Sequence, residues 1–193
     1  MKIVVITGEE SGDQLGASLL IALEKIYNQK LDVFGIGGKA LEERGLKKFY
    51  DISEINVMGI VEVVPKIFHI KKIINNTVDK ILEINPDIVL TIDSPDFTLR
   101  ITKKLKKKNN NLKIVHFVAP SVWIWRSGRI KTVKESVDHL LTILPFEKEI
   151  FEKEHIDTSF VGHPITEIDI QNYSGTDFSE ISNDIKKEIM LVL

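Results

Sequence analysis

The residues best placed to do chemistry are carboxylates that follow short apolar runs. Asp93-Ser94-Pro95-Asp96-Phe97 comes directly after Asp87-Ile88-Val89-Leu90-Thr91-Ile92, where a parallel strand delivers side chains to the ligand edge of an α/β sheet. Asp93 has no evident structural duty there. A carboxylate within hydrogen-bond reach of a hydroxyl can take its proton, so Asp93 is the candidate general base. Asp96 is a candidate ligand contact, but it is also well placed to cap the following helix, and Pro95 biases Ser94 towards an extended conformation. Gly8-Glu9-Glu10-Ser11-Gly12-Asp13 lies after the first apolar run, where loop amides and a helix N-terminus converge on a ligand. Ser11 or Asp13 would equally serve as caps of that helix. The spacing is not GxGxxG, and Glu9 and Glu10 would compete with a pyrophosphate, which disfavours a dinucleotide and with it a nucleotide-dependent oxidoreductase.

Other segments carry weaker signals. Pro120-Ser121-Val122-Trp123-Ile124-Trp125-Arg126 holds both tryptophans of the chain. Trp123 and Trp125 beside Arg126 and Arg129 offer apolar platforms next to cations, suited to a phosphorylated sugar or an amphipathic headgroup, although a buried core is the ordinary fate of tryptophan. Val161-Gly162-His163-Pro164 ends the last strand and places His163 near a cleft, with no second histidine at metal spacing. Gly35-Ile36-Gly37-Gly38 permits a close approach of a ligand or simply a tight turn. In Met58 to Lys72, Val61, Val64, Ile67 and Phe68 alternate with Lys66, Lys71 and Lys72. That pattern suits core packing, or an interfacial patch that dips into anionic lipid. The lysines from Lys104 to Lys108 read as a solvated helix end, with phosphate or membrane binding as the alternative.

Composition narrows the classes. The chain has 193 residues, 43% of them hydrophobic and 28% charged, with a formal net charge of -2 and no cysteine. That suffices for one substantial core, gives no electrostatic reason to expect nucleic acid, and excludes disulfides and Cys-ligated zinc. No apolar run approaches the roughly 20 residues that span a bilayer, so peripheral membrane contact and a cytoplasmic location are expected.

The elements that must position these residues are βα units. Apolar, β-branched runs at Lys2 to Thr7, Asp32 to Ile36, Asp87 to Ile92, Lys113 to Val118, His139 to Leu144 and Thr158 to Val161 predict strands covered on both faces. Helices are predicted over Gln14 to Ile26, Lys39 to Arg44, Ile60 to Ile84, Phe97 to Lys107, Arg129 to Ser136 and Phe146 to Glu154. The expected fold is α/β, a Rossmann-like doubly wound parallel sheet over residues 1–168. A polar linker is expected at 169–184, and 185–193 read as the opening strand of a second domain.

Taken together, Gly8 to Asp13, Val57-Met58-Gly59-Ile60-Val61-Glu62-Val63, Ile92 to Phe97, Pro120 to Arg126, Leu144-Pro145-Phe146-Glu147 and Gly162-His163-Pro164 resemble the lipid-A-disaccharide synthase family in type and order. The resemblance implies the N-terminal, acceptor-side half of a two-domain GT-B glycosyltransferase of lipid A biosynthesis. Such an enzyme joins UDP-2,3-diacylglucosamine to 2,3-diacylglucosamine 1-phosphate with inversion and release of UDP, and needs no metal or other cofactor. It implies Asp93 as base towards the acceptor's 6-hydroxyl. Glu9, Glu10, Ser11, Gly12, Asp13, Asp96, Ser121, Trp123, Trp125, Arg126 and His163 are the expected substrate contacts, and Val61, Val64, Ile67 and Phe68 the expected acyl or inner-membrane contacts. The family continues into a nucleotide-binding half, so a C-terminal half supplied in trans is the expected partner for turnover. The alternative is a non-catalytic module that binds acylated sugar phosphate or membrane.

Overall fold

The apolar runs fold as parallel strands, and one strand that carries no such run joins them. In chain order the computed structural model contains β1 (Lys2–Thr7), α1 (Glu10–Tyr27), β2 (Asp32–Gly37), α2 (Lys39–Glu42) and β3 (Lys47–Asp51). A 3-10 turn (Ile52–Glu54) precedes α3 (Val63–Ile84), β4 (Ile88–Ile92), α4 (Pro95–Lys108) and β5 (Ile114–Phe117). The order closes with α5 (Gly128–Ser136), β6 (His139–Thr142), α6 (Pro145–Lys153) and β7 (Thr158–Phe160). Residues 1–55, 63–122 and 128–163 are described, the side chains of 63–66 excepted. The chain divides into two units, Met1–Gly162 and His163–Leu193. The predicted linker and following strand, together with Val61, Trp123, Trp125 and Arg126, lie outside the described residues, as does the side chain of Val64.

The seven strands form one parallel sheet in the order β3-β2-β1-β4-β5-β6-β7. Side chains alternate between its faces, and both are apolar because both are covered. Ile3 and Val5 of β1 pack in a cluster with Leu20 of α1 and Leu41 of α2. Val4 and Ile6 join the opposite cluster with Ile73, Ile74, Val78 and Ile81 of α3 and Phe97, Ile101 and Leu105 of α4. A third cluster gathers Leu99 of α4, Val133 of α5, Leu140 of β6 and Phe151 of α6. The spacing of the α3 and α4 residues is one helical stripe, which is why those stretches are helices. α3 stops where Asn85 turns left-handed at φ 47° before Pro86, since proline cannot continue the ladder.

The strand missed by sequence is β3. Lys47 and Lys48 open it, and none of its residues is buried. It is one of the two edge strands, paired with β2 on one side only, so it needs no apolar run. Lys47 is ion-paired to Asp32 at 2.7 Å, and Lys48 to Asp51 at 2.9 Å and Glu42 at 3.1 Å. The hydrogen bond from Lys48 holds the Asp51 carboxyl down at about 2, helped by amide and hydroxyl bonds from Ser53.

Candidate active site

Strand order reverses between β1 and β4, and the loops that leave those neighbours diverge there, opening a crevice at their carboxyl ends. Thr7 is in register with Ile92, so the loop starting at Gly8 and the segment starting at Asp93 emerge side by side. The sheet therefore brings together two acidic motifs separated by about eighty residues of chain.

Asp93 and Ser94 are both left-handed, at φ 49° and 44°. The extended conformation expected for Ser94 is not observed: its φ and ψ are 44° and 53°. Pro95 disfavours the right-handed helical region for its predecessor but leaves the left-handed one open. The turn is fixed from several sides. The Asp93 amide donates to Phe117 O at 2.9 Å, the Ser94 amide donates to Asp93 Oδ1 at 2.7 Å, and Thr98 Oγ1 donates to Asp93 O at 2.8 Å and Ser94 O at 3.1 Å. On the neighbouring strand Val118 is also left-handed, at φ 72°. Non-glycine residues held this way cost on the order of 1–3 kcal/mol each and gather at functional sites.

Ser94 joins the two motifs: its Oγ donates to Glu9 Oε1 at 3.2 Å. Gly8 makes room for that approach, since a Cβ there would stand 2.7 Å from Ser94 Oγ. Sequence reasoning gave Ser94 no functional part; its position inside Asp-Ser-Pro-Asp is the only signal that could have found it. Glu9 at the N-cap of α1 and Glu10 and Ser11 in its first turn are exposed, Gly12 is buried, and Asp93 is half-buried. The arrangement offers one carboxylate aligned by its own backbone, a hydroxyl beside it, and a second carboxylate tethered through that hydroxyl. It is equipped to hold a polyol and to accept a proton from it.

Asp13 takes a different position from the substrate contact expected of it. It is 2% exposed, and its carboxylate accepts from the amides of Gly38 at 2.7 Å, Ala40 at 2.8 Å and Leu41 at 3.3 Å. It thus caps the start of α2, and neither it nor Ser11 caps α1, whose N-cap is Glu9 without a side-chain bond. Asp96 likewise makes no cap; α4 has Ser94 at its N-cap without a side-chain bond. Its carboxylate instead receives a bond of 2.8 Å from Arg129 Nη2. Ser121 is exposed, as is His163, the first residue of the second unit.

Beneath the edge lies a histidine that sequence reading left without a role. His116 of β5 is fully buried, with Nδ1 2.8 Å from Thr91 Oγ1 of β4. Burial pushes its pKa down to about 4, only partly offset by the backbone of Val118. Glu147, the third residue of α6, is also buried, and its carboxylate accepts from the amides of Leu144 at 2.9 Å and Ile143 at 3.2 Å. Burial pushes its pKa up, and those amide bonds oppose the rise. Ile67 and Phe68, in the first turns of α3, are 57% and 68% exposed and belong to no described core cluster. Among the described residues no helix is long and apolar enough to cross a membrane.

A doubly wound parallel sheet with its crevice between β1 and β4 is a Rossmann-like domain, the fold also of sugar-nucleotide epimerases. The UDP-GlcNAc 2-epimerase of Methanocaldococcus jannaschii, solved with UDP-GlcNAc and UDP, matches with a TM-score of 0.62 at 18% identity over 89% of this chain and 49% of that one. The UDP-GlcNAc 2-epimerase of Neisseria meningitidis bound to UDP-GlcNAc matches with a TM-score of 0.59 at 15% identity, over 86% and 47%. Likeness at that identity shows the fold alone. Sequence is more particular: residues 3–192 match the family described as Lipid-A-disaccharide synthetase. The lipid-A-disaccharide synthase of Ruegeria pomeroyi is 42% identical over 165 residues, 86% of this chain and 41% of the relative. That of Rickettsia bellii is 44% identical over 167 residues, 86% and 43%. The chain belongs to the lipid-A-disaccharide synthase family, and it spans about two fifths of the length of these relatives.

Proposed function

We propose that this chain forms the acceptor-side domain of a lipid A biosynthetic hexosyltransferase, with Asp93 as its general base. In this reading Asp93 takes the proton from the 6-hydroxyl of 2,3-diacylglucosamine 1-phosphate. The freed oxygen attacks the anomeric carbon of UDP-2,3-diacylglucosamine from the face opposite UDP. The bond from that carbon to the diphosphate oxygen breaks, UDP leaves, and the configuration inverts. Glu9, tethered through Ser94, orients the acceptor's hydroxyls. The observation that carries the reading is the placement of Asp93 at the β1/β4 crevice in a left-handed turn fixed from three sides, in a chain of this family.

Donor binding and full turnover are assigned to the C-terminal half of the family, supplied in trans where this chain is assayed. Ile67 and Phe68, exposed beside Lys71 and Lys72, support contact with acyl chains at the cytoplasmic side of an inner membrane. The same exposure is what favours the second reading, a non-catalytic module that holds acylated sugar phosphate.

The test is to incubate the chain with both substrates, with and without a separately expressed C-terminal half, and to follow the tetraacyl disaccharide phosphate by mass spectrometry. Asp93→Asn is expected to lower turnover by about 100-fold or more, the usual worth of a general base. Turnover that survives Asp93→Asn removes Asp93 as the base, and acceptor binding without turnover in any combination favours the module.

A further inference from the structure

Two grooves flank α4, each lined by three cations and one carboxylate, and they differ in how far those cations are engaged. The one between α3 and α4, lined by Asn75, Asp79, Lys104, Lys107 and Lys108, encloses about 320 Å³. Its lysines are largely engaged: Lys104 donates to Asn75 and Lys108 to Asp79, each at 2.7 Å. The lysine run therefore reads as a tie between helices.

The groove on the other side lies between the first turns of α4 and α5. It is lined by Asp96, Arg100, Lys103, Arg129 and Thr132 among others and encloses about 190 Å³. Three cations face one carboxylate there. Arg129 gives one Nη2 bond to Asp96, and a guanidinium has five N–H donors. Lys103 stands 3.6 Å from Glu135, longer than a hydrogen bond. Arg100 is exposed, with no ion pair to any described residue. The volume is below the ~300–1,000 Å³ of a pocket that engulfs a small molecule, so it suits one charged group of a larger ligand. Asp96 follows Asp93 by three residues, which limits the separation of their Cα atoms to about 11 Å.

We propose that this groove is a phosphate-binding subsite, in which Arg100, Lys103 and Arg129 take the phosphate of a sugar phosphate or of a lipid headgroup. Planar guanidinium forks and an ammonium held only by a long ion pair to Glu135 are the donor set that a tetrahedral dianion selects. Assignment to the 1-phosphate of the acceptor rests on the function proposed above. In that assignment one sugar ring has its 6-hydroxyl at Asp93 and its anomeric phosphate in the groove.

The experiment is an NMR titration of the full chain with glucosamine 1-phosphate and with glucosamine, beside co-sedimentation with phosphatidylcholine vesicles with and without phosphatidic acid. Arg100→Gln/Lys103→Gln is compared with Lys107→Gln/Lys108→Gln, which removes the same charge from the other side of α4; all four residues lie on the helix surface, and circular dichroism checks that both variants fold. Weakening of glucosamine 1-phosphate binding by about fivefold or more in the groove variant, with less than about twofold in the control, is expected. The same contrast seen only with phosphatidic acid vesicles keeps the subsite and gives it a lipid headgroup. Equal effects of both variants, no effect of either, or equal affinity for glucosamine and its phosphate overturns the proposal. Loss of the contrast while Asp93→Asn still abolishes turnover removes the groove alone, and a retained contrast with turnover indifferent to Asp93 removes the base alone.

Discussion

His116 makes the stability of this domain steeply dependent on acidity. In an unfolded chain its imidazole titrates near 6.5, and in the fold at about 4 because burial penalises the charged form. Above about pH 6.5 both states are neutral and the difference is silent. As the pH falls below that value the unfolded chain takes up a proton that the folded one refuses, so stability declines until the folded-state value near 4 is reached. At about 1.36 kcal/mol per pH unit between the two values, the whole loss is about 3 kcal/mol, most of it gone by about pH 4.5. That is a large fraction of the ~5–15 kcal/mol that holds a domain together. Urea unfolding followed by circular dichroism, for the wild type and His116→Asn at several values between about pH 7 and pH 4.5, isolates the effect because the other groups titrate in both proteins. The wild type is expected to lose about 2–3 kcal/mol more than the variant over that range. Parallel losses would refute the reasoning, as would an NMR titration of His116 with a midpoint near 6.5. Phe117, the next residue, accepts from the Asp93 amide, so His116 lies one residue from the strand position that holds the Asp93 turn.

Asp13→Ala strands three amides at the start of α2 and is expected to cost about 3 kcal/mol in chemical denaturation. Glu147→Gln behaves in the opposite way: burial raises this carboxyl, so its contribution to stability is full below about 4.5 and lost as the pH rises. The glutamine variant should therefore gain in thermal midpoint relative to the wild type from about pH 4.5 upward; a constant gap counts against the buried-carboxyl account. Gly35→Ala forces a side chain onto the Val5 carbonyl at φ 138°, and its soluble yield should collapse. Ile67→Glu/Phe68→Glu should release the chain from anionic vesicles without changing its thermal midpoint, and unchanged sedimentation would count against lipid contact by these exposed side chains.

The central strands were legible because burial on both faces demands continuous Ile, Val and Leu, as in Ile3 to Ile6 and Val89 to Ile92. Helices were legible from their stripes, although α1 starts at Glu10, earlier than expected: its N-cap Glu9 makes no side-chain bond, and the Thr7 hydroxyl closes the turn on the carbonyl and amide of Glu9. What was not legible depends on partners remote in the chain. Asp13 serves amides 25 to 28 residues away, Asp96 meets Arg129 across 33 residues, and Ser94 meets Glu9 across 85. No local pattern announces such pairings, so caps were assigned to the nearest helix and Ser94 was passed over. The place of Asp93 at the end of β4 was legible because the end of a strand is a local fact, and its left-handed turn was not, because its amide is held by Phe117 of β5.

The lysines of β3 also bear on how the protein keeps company with itself in a crowded solution. An edge strand presents unpaired amides and carbonyls on which another chain can template further sheet. Here the edge opens with Lys47 and Lys48, their charges fixed by ion pairs to Asp32, Glu42 and Asp51, and Lys47 lies over the ring of Phe34, 4.7 Å from its centre. A second copy arriving edge to edge would have to desolvate those ammonium groups against their own kind. Neutralising both lysines should therefore show first in shelf life, as a slow growth of aggregates from protein that is still folded.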